Sequence, residues 1–194
     1  MIAIAKSENI EQAALRIAEV LKRPGAVALV PTETVYGLVC RAADKEAVER
    51  IVRLKHRNAG KFFGWFVRDC RIAENCGLVF SDTAKRLASE YFPGAVTLIV
   101  SAQNGSSQAV RIPDHPLIRE LLKHFDEPLV QTSANGSGMP DAITPEQALQ
   151  QLDGEVDIVC DGGELPPDAA GSTVVNTVAV PPVILRQGKT VVKL

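Results

Sequence analysis

Apolar residues recur along this chain in two alternating rhythms, one helical and one of short unbroken runs. Ile10, Ala14, Ile17 and Leu21 keep the helical period; Ser7 is placed to cap that helix, and the RPG triplet at 23–25 stops it. The run AVALVP (26–31) then reads as a buried strand. Asp44 is placed to cap a helix carrying Val48, Ile51 and Leu54 or Lys55 on successive turns, and Ser81 opens another with Leu87, Ala88 and Tyr91, ending at FPG (92–94). AVTLIVSA (95–102) and QAVRIP (108–113) are strand-like. Asp114 is placed to start the clearest helix, whose apolar face is Leu117, Ile118, Leu121, Leu122 and Phe125. EPLVQ (127–131) reads as a strand and is followed by the polar loop TSANGSG. Thr144 with Pro145 and Gln147 combines a cap, a proline at the first helical position and a capping-box partner. VDIVC, STVVNTV, PVILRQG and TVVKL in the last forty residues read as strands.

The pattern contains no repeat, no low-complexity linker and no composition shift, so residues 1–194 are expected to form a single α/β domain. Strands packed this closely in sequence favour a twisted mixed sheet, parallel and antiparallel, over a purely parallel one.

Composition changes this picture little: 46% hydrophobic and 23% charged residues are ordinary for a soluble globular chain. A formal net charge of −2 removes any global field for a polyanion, so attraction to phosphate must be local. The four cysteines (40, 70, 76 and 160) form no C-x-x-C pair, and with three dispersed histidines there is no metal-ligand spacing. They are expected to be buried or half-buried free thiols. His56, His115 and His124 are read as surface residues. The first residues lack a basic stretch followed by an apolar run, and no segment approaches membrane-spanning length. The expectation is a cytoplasmic protein.

Candidate chemistry sits at strand ends. VPTETVYGL (30–38) offers Thr32, Glu33, Thr34 and Tyr36 where open α/β sheets place ligands; it reads equally as a turn whose threonines satisfy local backbone groups. QTSANGSG (131–138) can present Thr132, Ser133, Asn135 and free backbone N–H groups to an anion, although taken alone a plain turn is the better reading. No Walker A loop and no nucleophile elbow is present. Lys55, Arg57 and Lys61 lie near a helix C-terminus, either as solvated capping charges or as ligand contacts. Arg111 and Arg186 are flanked by apolar strand residues, so each needs an anionic partner, either a carboxylate of the chain or a polyanionic ligand. Hydroxyls, backbone donors and cations without a protein nucleophile suit phosphoryl or nucleotidyl transfer.

Seven segments in order, PTETVYGL, LKHR…K, FPGAVTLIV, VRIPDHPL, PLVQTSANGSG, GSTVVN and ILRQG, resemble the signature motifs of the threonylcarbamoyl-AMP synthase family, built on a YrdC-type domain. The resemblance covers nearly the whole chain, in the manner of short single-domain members. It implies a YrdC-like fold with a large concave basic cavity. It implies nucleotidyltransferase activity that makes threonylcarbamoyl-AMP and pyrophosphate from L-threonine, bicarbonate and ATP, for tRNA threonylcarbamoyladenosine modification with a partner transferase complex and tRNA as downstream acceptor. Mg²⁺ would arrive with ATP, without a protein metal site or organic cofactor. Carried over by motif, Lys55, Arg57 and Lys61 would act on the reacting anions. Thr32, Tyr36, Arg111, Thr132 and Ser172 would bind substrate, and Ser133, Ala134, Asn135 and Arg186 would hold the nucleotide. The chain departs from the motifs at Asn58, where proline is usual, at FFGWF (62–66), where Pro-Leu and aliphatic residues are common, and at Asn176, where aspartate is frequent. Two other readings stand beside the synthase: a non-catalytic double-stranded RNA or tRNA-binding paralogue, and a carbamoyl-adenylate enzyme with another acceptor.

Overall fold

A computed structural model describes residues 3–6, 9–56 and 63–194. Its frame is one sheet that begins at β1 (Ala3–Lys6) and pairs it in parallel with β9 (Ile158–Asp161), which in turn runs parallel to β2 (Ala28–Val30). β2 turns back into β3 (Gly37–Arg41) as an antiparallel pair, and β8 (Leu129–Ser133) lies antiparallel to β3. β4 (Gly64–Phe66) sits between β8 and β7 (Ser107–Arg111), antiparallel to the first and parallel to the second. β6 (Val96–Ala102), β10 (Thr173–Asn176) and β11 (Val183–Arg186) complete the order, with β5 (Leu78–Val79) paired to β6. The sheet is therefore mixed, as the spacing of strand signals predicts.

Period-two alternation explains why β2 is buried throughout. Ala28 and Val30 face one layer with Val39, Leu129 and Ile158, where α1 (Ile10–Leu21) and α5 (Pro116–Leu122) pack. Val27 and Leu29 face the opposite layer with Leu38, Cys40 and Val130, covered by α2 (Lys45–Leu54) and α6 (Pro145–Gln151). A third apolar cluster joins β6, β7 and β10 to α3 (Cys70–Asn75) and α4 (Asp82–Tyr91) through Leu98, Val110, Val175, Ile72 and Leu87.

The cap signals at Asp44, Ser81 and Thr144 hold: each side chain accepts from the backbone N–H three residues on. Elsewhere the caps move. Asn9 caps α1 through Gln12 N, and Ser7 lies outside the described residues. α5 starts at Pro116 with His115 at the cap, not at Asp114, because a residue before proline is driven to extended backbone (φ −121°, ψ 127°). Asp114 instead donates its backbone N–H to Glu33. TVVKL forms no strand; Val192 packs into the third cluster and Lys193 N donates to the Tyr91 hydroxyl. Cys76 is exposed, whereas Cys40 and Cys160 are buried and Cys70 is half-buried. Burial comes first in raising all four thiols, Cys40 to about 12 and Cys160 to about 11, which leaves them weak nucleophiles.

Candidate functional site

The end of α2 and the loop after β8 meet through Lys55. Lys55 is the C-cap residue of α2, and His56 follows in the left-handed region (φ 46°), the turn that commonly ends a helix. Lys55 is buried, and its Nζ donates to the carbonyls of Ser133 and Asn135 and reaches Asn135 Oδ1 at 3.4 Å. Its own carbonyl accepts from Ser137 N at 3.0 Å, so main chain and side chain both tie the helix end to the loop. Within that loop Ser133 Oγ donates to Asn135 Oδ1 at 2.5 Å, Asn135 Nδ2 donates to Met139 O at 2.5 Å, and Ala134 N donates to Tyr36 O at 2.8 Å.

Ser133 also lines a cavity of about 310 Å³ whose walls include Thr34, Arg111, Thr132, Ser172 and Arg186. Two of these walls are built differently. On the inner wall Arg111, at the end of β7, is 3% exposed. Its Nε donates to Gly94 O at 2.9 Å, its Nη1 to Thr34 Oγ1 at 3.2 Å, and its Nη2 lies 2.6 Å from Glu33 Oε1. The last contact is an ion pair rather than an aligned hydrogen bond: Nη2 and the second oxygen, Glu33 Oε2, are buried without a hydrogen-bond partner. The guanidinium also stands over the Phe66 ring, 5.6 Å from its centroid. Burial lowers the Arg111 pKa, Glu33 opposes that, and Arg186 adds to it as a like charge.

On the outer wall Arg186, at the exposed end of β11, donates from Nε to Ser172 O at 3.0 Å and from Nη2 to Ser172 Oγ at 3.2 Å. Ser172 Oγ in turn is 2.7 Å from Thr97 Oγ1. Gly171 permits this approach, since a Cβ there would stand 3.0 Å from Arg186 Nη2.

A second cavity of about 310 Å³ opens on the other side of Thr34, lined by Thr32, Glu33, His115, Leu165 and Lys189 among others. Thr32 Oγ1 accepts from Thr34 N and Val35 N and donates to Val35 O at 2.7 Å. With that proton committed, Thr34 donates across the 2.8 Å Thr32–Thr34 contact and keeps its lone pairs for Arg111.

Residues 19–188 match the Sua5/YciO/YrdC family model, described as "Telomere recombination". The chain belongs to that family. It is 32% identical over 196 residues to threonylcarbamoyl-AMP synthase of Pyrococcus abyssi, covering 96% of this chain and 57% of that protein. The crystal structure of P. abyssi Sua5 complexed with L-threonine superposes with a TM-score of 0.84 at 28% identity, covering 96% of this chain and 57% of the Sua5 chain. That of Escherichia coli YciO superposes at 0.81 and 26% identity, covering 100% of this chain and 98% of YciO. The chain thus spans little more than half the length of Sua5 and nearly all of YciO.

Of the residues that the family motifs single out, the fold brings Lys55, Ser133 and Asn135 into one hydrogen-bonded cluster, and sets Arg111, Thr132, Ser133, Ser172 and Arg186 around one cavity. Thr32 lines the second cavity, and Ala134 is buried beneath the loop. Arg57 and Lys61, with Asn58, lie outside the described residues. Tyr36 is fully buried and lines neither cavity. Its hydroxyl donates to Gly163 O at 2.7 Å and accepts from Gly162 N at 3.0 Å, and burial pushes its pKa up to about 12, so it stays a donor. Gly162 fits there because a Cβ would sit 2.7 Å from the Pro31 ring. Asn176 accepts from Val178 N and Ala179 N, capping the turn after β10.

Sequence reasoning missed three features of the two cavities. His115 is half-buried in the second cavity rather than on the surface, with Nδ1 unpartnered; burial lowers its pKa against the opposing charges of Glu33 and Asp114. Glu33, seen as one polar residue among several, is the counter-charge of Arg111. Gln131 lies over Gly64, where a Cβ would stand 2.4 Å from its Nε2, and lines the first cavity. The i, i+2 spacing of Gln131 and Ser133 on β8 was the available signal for the last. Among the described residues no group of His, Cys, Asp and Glu could hold a metal ion, and no helix is long and apolar enough to cross a membrane.

Proposed function

We propose that this protein is an L-threonylcarbamoyladenylate synthase. The observation that carries the reading is a cavity walled by Arg111, Arg186, Ser133 and Ser172, whose Ser133 is tied to Asn135 and Lys55. Such a site positions anions and neutralises charge, which is what an in-line attack on a phosphorus requires. In the proposed sequence the threonine amine, as the free base, reacts with bicarbonate to give the carbamate and water. A carbamate oxygen then attacks the α-phosphorus of ATP, that bond forms as the α–β bridging bond breaks, and pyrophosphate leaves with the bond electrons. Because the nucleophile belongs to the substrate, the chain needs none of its own.

Arg111, Thr132 and Ser172 are assigned to the carbamate and carboxylate end, with Thr32 and Tyr36 shaping that end from behind. Ser133, Ala134, Asn135 and Arg186 are assigned to the nucleotide, and Lys55, Arg57 and Lys61 to the reacting phosphates and carboxylate. Mg²⁺ enters as part of the substrate, on the ATP phosphates. The product would pass to a tRNA-modifying threonylcarbamoyl transferase complex in the cytoplasm.

A second reading, the same adenylate chemistry on another acceptor, is favoured by the Gln131 amide over Gly64 in the first cavity. One assay tests both: pyrophosphate release from ATP and bicarbonate, with and without L-threonine. Threonine-dependent release is expected. Threonine-independent release would favour the second reading, and salt-sensitive RNA binding without any release would overturn both.

A further inference from the structure

Buried polar atoms normally find partners, so those that do not mark places where the protein keeps bonding capacity in reserve. Among the described residues three buried side-chain atoms have none: Arg111 Nη2, Glu33 Oε2 and His115 Nδ1. All three belong to one neighbourhood. Arg111 faces the first cavity, His115 faces the second, and the Glu33 carboxylate, which lines the second, is 2.6 Å from Arg111.

The Arg111 guanidinium is fixed on its protein side by Gly94 O and Thr34 Oγ1. Glu33 is itself fixed, because Oε1 accepts from Asp114 N at 2.7 Å. A carboxylate clamped to the main chain therefore anchors the guanidinium at Nη2. An arginine held at all three nitrogens by fixed partners, on the wall of a cavity, is preorganised for a planar anion there, since a guanidinium matches a carboxylate in geometry.

We propose that Glu33 is a positioning residue, which orients Arg111 for the carboxylate of the amino-acid substrate. The inference rests on the synthase reading above, and goes beyond it by giving a role to a side chain that never meets the substrate. Glu33 acts through Arg111, so its contribution exists only while Arg111 is there to be oriented.

The test is a double-mutant cycle read by calorimetric L-threonine binding and by steady-state pyrophosphate release. Glu33→Gln keeps an acceptor for Asp114 N and removes the charge. It is expected to weaken threonine binding and raise the threonine KM by roughly tenfold or more, with the ATP KM within about twofold of wild type. In an Arg111→Lys background, which loses the fork but keeps the charge, the same substitution is expected to change threonine affinity by less than about twofold. Glu33→Asp restores the carboxylate on a shorter stem, is expected to recover part of the loss, and supplies a folded variant if Glu33→Gln unfolds. A lowered unfolding midpoint with unchanged threonine affinity in either variant would overturn the inference, because a merely structural carboxylate does that. Equal losses in the Arg111 and Arg111→Lys backgrounds would overturn it as well. Wild-type protein that neither binds threonine nor releases pyrophosphate would sink the synthase reading itself, which is a distinguishable failure.

Discussion

Arg111 and Arg186 enter the same cavity from strands β7 and β11, yet they are secured by opposite means. Arg111 is inside the sheet, surrounded by β-strand neighbours, and carries a carboxylate, a hydroxyl and a carbonyl as partners. Arg186 is at the sheet edge, exposed, and held by the main-chain and side-chain oxygens of Ser172. Burial accounts for the difference. A guanidinium removed from water needs a counter-charge, whereas an exposed one is already solvated and needs only to be aimed. The inner wall is therefore rigid and costly to alter; the outer wall is a contact that a ligand can share.

The sharpest way to break this comparison is Arg111→Ala. It leaves the Glu33 carboxylate inside the protein without its partner, so the loss of folding stability is expected at about 3–5 kcal/mol. Urea unfolding measures it. A loss below about 1 kcal/mol would place Arg111 in the same class as Arg186 and remove the distinction.

Arg186→Ala is expected to do the reverse. Substitution of an exposed edge residue should leave stability within about 0.5 kcal/mol of wild type. Binding of an ATP analogue should weaken roughly 10- to 100-fold, the usual worth of a charged hydrogen-bonded contact. Calorimetry and thermal unfolding on the same preparation separate the two effects, and a large fall in unfolding midpoint would show that the outer wall is structural too.

Tyr36→Phe tests how far the rigid wall extends. The phenol bridges Gly162 and Gly163 to the β3 end of the sheet. Its loss deprives Gly162 N and Gly163 O of their side-chain partner, so a destabilisation of about 1–3 kcal/mol is expected in urea. No measurable change would mean that the loop after β9 is held by packing alone.

The sequence made the two arginines look alike because flanking apolar residues report strand membership and not position within the sheet. That position depends on pairing across long separations: β7 is central because β4 and β6 flank it, and β11 is at the edge because only β10 pairs with it. The same limit explains the other differences. Period-two and helical patterns located β2, β6, β8 and the helices α2, α4 and α6 well, since those signals are local. β1, β3 and β5 went unrecognised: β1 and β5 are short, and β3 runs straight out of a loop whose polar residues dominated its reading. The cluster of Lys55 with Ser133 and Asn135 joins residues almost eighty positions apart, so only motif resemblance, not spacing, could have united them. His115 was misplaced for a related reason. It follows an exposed aspartate and precedes a proline, a context that reads as surface, while the fold sets it in the second cavity with the distant residues Leu165, Pro166, Ala169 and Ala170.

That histidine supplies the smallest effect and the finest probe of the inner wall. Burial holds its folded-state pKa below the ordinary 6.5, while Glu33 and Asp114 pull it back and Lys189 stands elsewhere on the same cavity. Above pH 6.5 the ring is neutral in folded and unfolded chains alike, and its contribution to stability is fully present. As pH falls through 6.5 the unfolded chain takes up a proton that the folded chain refuses, so stability declines until the lowered folded pKa is passed. The slope from one such group cannot exceed about 1.4 kcal/mol per pH unit, and the nearby carboxylates oppose the shift. Wild-type stability minus that of His115→Gln should therefore be flat well above pH 6.5 and should fall as the pH passes through 6.5. A difference that stays flat down to pH 5 would mean that the second cavity solvates the imidazole freely, and that the polar atoms around Glu33 are less sequestered than their burial implies.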